Sequence, residues 1–208
     1  MHSSSLLYEN EKHQFGHIAL IAGVDEAGRG PVAGPVVVAA VILDKTKPIV
    51  GINDSKKLSA KKRQKLYSEI IANSTAYSIV EVSHQRIDEI NILQAVLEGM
   101  HRAVLNLSLI PDLCLIDGNK APSGLDIDCV TCIKGDGNYA SIAAASILAK
   151  VHRDSLMANL DSLYPGYGFT KHKGYPTAQH LKALSELGPC PVHRQSYAPV
   201  KCLQKNQL

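Results

Sequence analysis

No apolar stretch in this chain is long enough to cross a bilayer, and residues 1–16 carry Ser, Glu and His around no apolar centre. A membrane span and a secretory leader therefore drop out, and a soluble, cytoplasmic protein is expected. Five cysteines (Cys114, Cys129, Cys132, Cys190 and Cys202) are an odd set without a framework of spacings. Cys129 and Cys132 form a lone CxxC around two residues of strand character, which argues against a disulfide scaffold and against a zinc site. There is no internal repeat and no low-complexity tract. A Walker loop is missing, since Gly28-Arg29-Gly30 has no Gly-Lys-Ser/Thr downstream at the required spacing. Neither a Ser-His-Asp order nor an activated cysteine presents itself. What is present is a chain of 208 residues, 45% hydrophobic and 20% charged, enough for one folded domain with a real core. A net charge of +3 says little about partners, but Lys and Arg cluster at residues 56–65 and 171–173.

The rest of the chain is organised around residues 21–34. A short apolar run ends in two adjacent carboxylates, Asp25 and Glu26, followed by Gly28-Arg29-Gly30 and further Gly/Pro breaks. A run that short, bounded by glycine and acids, is a buried strand. Neighbouring side chains alternate along a strand, so the two acids can share one site only where it ends. Strand-end acids facing a glycine loop suit a hard cation such as Mg²⁺, although Asp and Glu also commonly open a polar turn.

Residues 1–17 read as a frayed lead-in to a domain spanning 18–208. Strands are predicted at about 18–25 and at 36–43, antiparallel neighbours across a Gly/Pro loop. Ser59 is placed to cap an amphipathic helix over 60–73, with Leu66 and Ile70 on its dry face. A strand over 77–82 precedes a long helix over 88–107, whose buried stripe is Ile92, Val96, Met100 and Val104. Short strands over 112–116 and 128–133 end near Asp117 and Asp136. The alanine-rich stretch 138–160 is helical by propensity. Residues 171–176 form a basic loop, Thr177 caps a helix to about Leu187, and the Pro-punctuated remainder wraps the domain. The expected fold is α/β, a mixed sheet covered by helices, with ligands gathering outside the strand ends.

Asp25, Glu26, Asp117 and Asp136 then meet at one sheet edge. Four close acids raise one another's pKa unless cations sit among them. Two divalent ions would remove that conflict and could stabilise both the attacking and the leaving oxygen of a displacement at phosphorus. Any one of these acids alone is more often structural; the set of four in matching contexts shifts the odds.

Several stretches closely resemble the type 2 ribonucleases H, the ribonuclease HII family. They are Gly23-Val24-Asp25-Glu26-Ala27-Gly28-Arg29-Gly30-Pro31, Asn53-Asp54-Ser55-Lys56-Lys57-Leu58 and Leu115-Ile116-Asp117-Gly118-Asn119, then Lys134-Gly135-Asp136, the run over residues 141–154 and His172-Lys173-Gly174-Tyr175-Pro176-Thr177. The resemblance runs from about Ala22 to Lys201, with the motifs in family order. It implies a ribonuclease-H-like, five-stranded mixed sheet flanked by helices, with a C-terminal helical segment. It also implies metal-dependent endonucleolytic cleavage of RNA in RNA–DNA hybrids and at single ribonucleotides embedded in a DNA duplex, leaving 5′-phosphate and 3′-hydroxyl ends, by a protein expected to be a monomer. By motif match Asp25, Glu26, Asp117 and Asp136 are the catalytic acids and the ligands of Mg²⁺ or Mn²⁺. Gly28, Arg29 and Gly30 would read the ribose 2′-hydroxyl, Lys56 and Lys57 would hold phosphates, and Tyr175 would pack on the sugar at the RNA–DNA junction. The chemistry of each is apt: only the 2′-hydroxyl separates RNA from DNA at one nucleotide, and phosphate contacts bind without reading sequence.

Blander readings cover the neighbours. Asp54 organises its own loop, and Asp154 supports Arg153 or a helix neighbour. His172 is as readily a solvated loop histidine as a proton carrier, and the other histidines show no pattern. Tyr197 stands where the family more often has Phe, as a packed ring would permit. The contrasting functional reading, a non-catalytic nucleic-acid-binding module on the same fold, would need the acids dispersed or replaced.

Overall fold

The structure, a computed structural model, describes residues 2–205. Five strands form one sheet: β1 (Ile21–Ala27), β2 (Val36–Leu43), β3 (Ser74–Val82), β4 (Leu113–Asp117) and β5 (Asp128–Cys132). Their spatial order is β3-β2-β1-β4-β5, with β1 antiparallel to β2 and parallel to β4. All eight residues of β2 are buried, so its alternating side chains feed two different cores. Val36, Val38, Ala40 and Ile42 pack towards α3 (His84–Leu105). Val37, Ala39 and Val41 face the layer made by α1 (His2–Phe15), α2 (Ala60–Asn73) and α4 (Ala140–Leu163).

Local chemistry explains most element boundaries. The Ser59 hydroxyl accepts from the Lys62 amide and starts α2, and Leu66 and Ile70 are its buried residues. The long helix α3 begins four residues earlier than its apolar stripe predicts, because Ser83 caps it by accepting from the Arg86 amide. It is also kinked: Asn91 has φ 67°, and its side-chain oxygen accepts from the amides of Leu93 and Gln94, restarting the helix. The kink moves Ile92 off the fully buried stripe, which Val96, Met100 and Val104 continue. In α4, the alanines 143–145 are wholly buried, and a side chain on Gly23 would collide with the backbone of Ser141. That absence of bulk lets α4 lie directly on β1.

Two expectations are corrected. Most of the lead-in is not frayed: α1 docks on the domain through buried Leu7 and Phe15. The stretch at 171–176 is not wholly loop either, since Phe169–His172 form a helical turn, α5, ahead of α6 (Ala178–Leu187). The chain then runs along the β1–β2 connection, where His193 bridges Ala33, and the last described element is α7 (Ala198–Lys205). Among the described residues no helix is long and apolar enough to cross a membrane.

Candidate active site

Strand β1 runs two residues further than expected, so Asp25 and Glu26 lie within it. What ends before them is the parallel pairing with β4, which stops at Val24, while antiparallel pairing with β2 continues to Ala27. The acids therefore stand at a step in the sheet, beside the end of β4 where Asp117 sits. Asp25 Oδ1 accepts from the Glu26 amide at 2.7 Å. Asp117 Oδ1 accepts from the Gly135 amide at 2.7 Å, which draws the turn carrying Asp136 up against β4. Asp25, Glu26 and Asp117 line one cleft of about 410 Å³ with Arg29, Gly30, Lys56, Lys150 and Tyr175. Asp136, 5% exposed, joins them through the Lys56 ammonium, 3.3 Å from its Oδ2.

The electrostatics are those of crowded acids. Burial, then the neighbouring Glu26 and Asp117 charges, push the Asp25 carboxyl well above the usual carboxylate range. Burial raises Glu26 too, against the pull of Arg29, and Asp117 is raised by burial and by Asp136. Burial is the largest single influence on the Lys56 ammonium and pulls it down, but Asp136, Asp25 and Asp54 together outweigh it and the net shift is upward. Two side-chain cations thus answer four acids: Lys56 on Asp136, and Arg29, 3.2 Å from Glu26 Oε1. Glu26 Oε2 is buried and has no hydrogen-bond partner among the described residues. An orphaned anionic oxygen among clustered, mutually repelling acids fits a divalent cation. Among the described residues, however, no three acidic, His or Cys side chains already converge into a cage. Lys57 lies apart from the cleft lining, 3.7 Å from Asp54.

Two buried guanidiniums that the sequence did not single out lie behind the Gly28-Arg29-Gly30 turn, and one of them holds it. Arg194, wholly buried, donates to the carbonyls of Gly28, Arg29 and Gly34. Arg153 donates to those of Ala33, Pro35 and Lys173, and burial lowers its pKa to about 10. Gly28 has φ 107°, and a side chain there would strike the Arg153 guanidinium, so this position needs glycine twice over. A Cβ on Gly30 would sit 3.2 Å from the Tyr175 ring, so the turn and the ring face each other directly. The Tyr197 ring carries a working hydroxyl: it donates to the Arg29 carbonyl at 2.9 Å and accepts from Arg194.

Behind Tyr175 lies a histidine cluster where no pattern was expected. The Cys190 amide donates to His193 Nδ1, and His193 Nε2 lies 3.1 Å from His180 Nε2. His180 Nδ1 meets the Tyr175 carbonyl at 2.9 Å. The self-consistent assignment is a chain of neutral rings, each donating forward, that ends on Tyr175. His172, neither solvated nor at the acids, is buried, stacks on His180 at 4.3 Å and accepts from the Gly174 amide. Asp154 pairs with its helix neighbour Lys150, and Asp54 accepts from the Lys56 amide in its own loop, as expected of both.

A mixed five-stranded sheet in this order, with helices on both faces and a helical C-terminal segment, is the ribonuclease-H-like architecture. The crystal structure of ribonuclease H2 from Pyrococcus horikoshii OT3 superposes with a TM-score of 0.78, at 27% identity, covering 90% of this chain and 98% of that one. The sequence model described as Ribonuclease HII matches residues 22–200. Ribonuclease HII 1 of Methylibium petroleiphilum is 56% identical over 185 residues, 89% of this chain and 93% of the relative. Ribonuclease HII of Francisella tularensis subsp. tularensis is 55% identical over 184 residues, 88% and 98% respectively. The chain belongs to the ribonuclease HII family. Membership supports an endoribonuclease activity of that type.

Proposed function

We propose that the protein cleaves the RNA strand of RNA–DNA hybrids, and single ribonucleotides embedded in duplex DNA, leaving 5′-phosphate and 3′-hydroxyl ends. Asp25, Glu26, Asp117 and Asp136 would hold two divalent cations, Mg²⁺ or Mn²⁺. When bound, the cations supply charge stabilisation to the attacking and leaving oxygens of the scissile phosphate. The observation that carries the reading is the acid cleft itself, with Glu26 Oε2 buried and unpartnered among the described residues.

The chain's own residues bind and orient. Arg29 and Lys56 are the exposed cations at the cleft, and Lys57, outside its lining, would meet a more distant phosphate. The carbonyls of Gly28 and Arg29 are already engaged by Arg194, which fixes the turn and leaves its amides to meet a 2′-hydroxyl. Tyr175 closes the cleft opposite Gly30 and offers a flat surface to the next sugar. The protein would act as a monomer in the cytoplasm.

The test is cleavage of a duplex bearing one ribonucleotide, with and without Mg²⁺ or Mn²⁺. Cutting at that nucleotide is expected only with metal. Asp136→Asn should lower it by about 10²-fold or more while hybrid binding persists, as for loss of a charge that acts at the reaction. Binding without any cutting by the unaltered protein would favour the non-catalytic module instead.

A further inference from the structure

Helix α1 lies ahead of residues 22–200, the segment matched by the family model; Tyr8 reaches the Ile49 amide, but most of its side-chain hydrogen bonds converge on one short piece of that segment. Between β5 and α4 the chain passes through Lys134, at φ 57°, the turn Gly135–Gly137 that carries Asp136, then Asn138 and Tyr139. Four residues of α1 meet this passage or the first turn of α4 that follows it. Asn10 donates to the Asn138 carbonyl at 3.3 Å. The Tyr139 hydroxyl donates to Gln14 Oε1 at 2.6 Å, and the Tyr139 ring packs edge-on against Phe15 at 5.7 Å. Glu11 Oε2 accepts from both the amide and the hydroxyl of Ser141, at 2.9 and 2.8 Å.

The last contact is chemically the most telling. Tyr139 stands at the N-cap of α4 and makes no side-chain capping bond of its own. The first amides of a helix need acceptors from outside it, and an N-terminus favours an anion. Here the missing cap is delivered from another helix, by Glu11. The passage is held at its other end by the Gly135 amide on Asp117.

We infer that Glu11 is a positioning residue: through Ser141 it caps α4 and fixes the turn that presents Asp136, making α1 a brace for the acid cleft. The inference rests on reading Asp136 as a cation-holding acid, so its test begins with a measurement that does not need that reading.

Amide hydrogen exchange of the metal-free protein is followed in Glu11→Ala, Glu11→Gln and Val104→Ala. Val104 is buried on the opposite face of the sheet and serves as a control for general loss of stability. In Glu11→Ala, exchange over residues 137–143 should quicken by roughly 5–30-fold, the effect of losing a helix cap, with β2 and α6 unchanged. Glu11→Gln keeps an acceptor oxygen for the Ser141 amide and should recover most of the protection. Mn²⁺ binding without substrate, measured by calorimetry, should weaken by up to roughly tenfold in Glu11→Ala and remain near normal in Val104→Ala. Unchanged exchange over 137–143 would overturn the inference, as would faster exchange spread over the whole molecule as in Val104→Ala. Local loosening with unaltered Mn²⁺ affinity would overturn it too, leaving α1 a structural helix only. A protein that binds Mn²⁺ in this Glu11-dependent way yet cuts no ribonucleotide would sink the nuclease reading and leave the brace standing.

Discussion

Asp25 is 5% exposed and surrounded by charge of its own sign. In the metal-free protein its carboxylate is therefore a cost to stability, which the proposed cation would offset. Asp25→Asn keeps the shape and the bond from the Glu26 amide while removing one charge. The metal-free variant should melt higher, by about 2–4 °C for each kcal/mol of repulsion relieved. Its melting temperature should respond less to Mn²⁺ than the parent's. Thermal scans in chelator and in Mn²⁺ check both, and a lower melting point in chelator would contradict the argument. At Tyr175 the question is the junction. The ring faces Gly30 from a loop anchored by the Val32 amide on the Gly174 carbonyl, at 2.8 Å. Tyr175→Ala should cut a lone embedded ribonucleotide far less well than a continuous hybrid, through loss of stacking worth about 1–3 kcal/mol, and Tyr175→Phe should be mild. Equal losses on the two substrates would make the ring a general support.

The elements around α5 and α6 depend on histidines kept neutral. Burial lowers His193 from 6.5 to about 4, and His180 is lowered by the same cause. A depressed folded-state pKa gives stability that is present above 6.5 and lost as pH falls towards 4, because the unfolded chain takes up the proton first. For His193 this is at most about 3 kcal/mol. The melting temperature should accordingly fall across that window, with the Tyr175 loop loosening first, since His180 holds its carbonyl. His193→Asn, which can keep an acceptor for the Cys190 amide, should flatten the decline. An identical slope in that variant would show that the proton goes elsewhere.

Across the whole molecule a net charge of +3 conceals a cleft in which acids and bases alternate. Lys56 is committed to Asp136 in the free protein, yet its side chain is 80% exposed and can turn to a phosphate once cations sit among the acids. Binding of a hybrid should weaken linearly with log salt as counterions are released. Lys56→Ala should reduce that slope by up to about one unit and leave the preference for RNA over DNA untouched. Titrations at several salt concentrations measure both quantities. A changed preference with an unchanged slope would assign Lys56 a different role.

The sequence by itself determined the strands whose apolar runs end in glycine or acids, the capped helix after Ser59 and the alanine-rich helix predicted over 138–160. These follow from local rules: alternation, capping and helix propensity act between near neighbours. It also singled out Asp25, Glu26, Asp117 and Asp136, because an acid closing an apolar run is legible one run at a time. Tertiary structure alone decided the rest. Nothing near Arg194 in the chain points to the Gly28 carbonyl, 166 positions away, and no periodicity links His180 to His193. The frayed reading of residues 1–17 failed for the same reason. A weakly amphipathic segment such as α1 gains its order from partners at Ile49, Asn138, Tyr139 and Ser141, and those partners exist only after the sheet and α4 have come together.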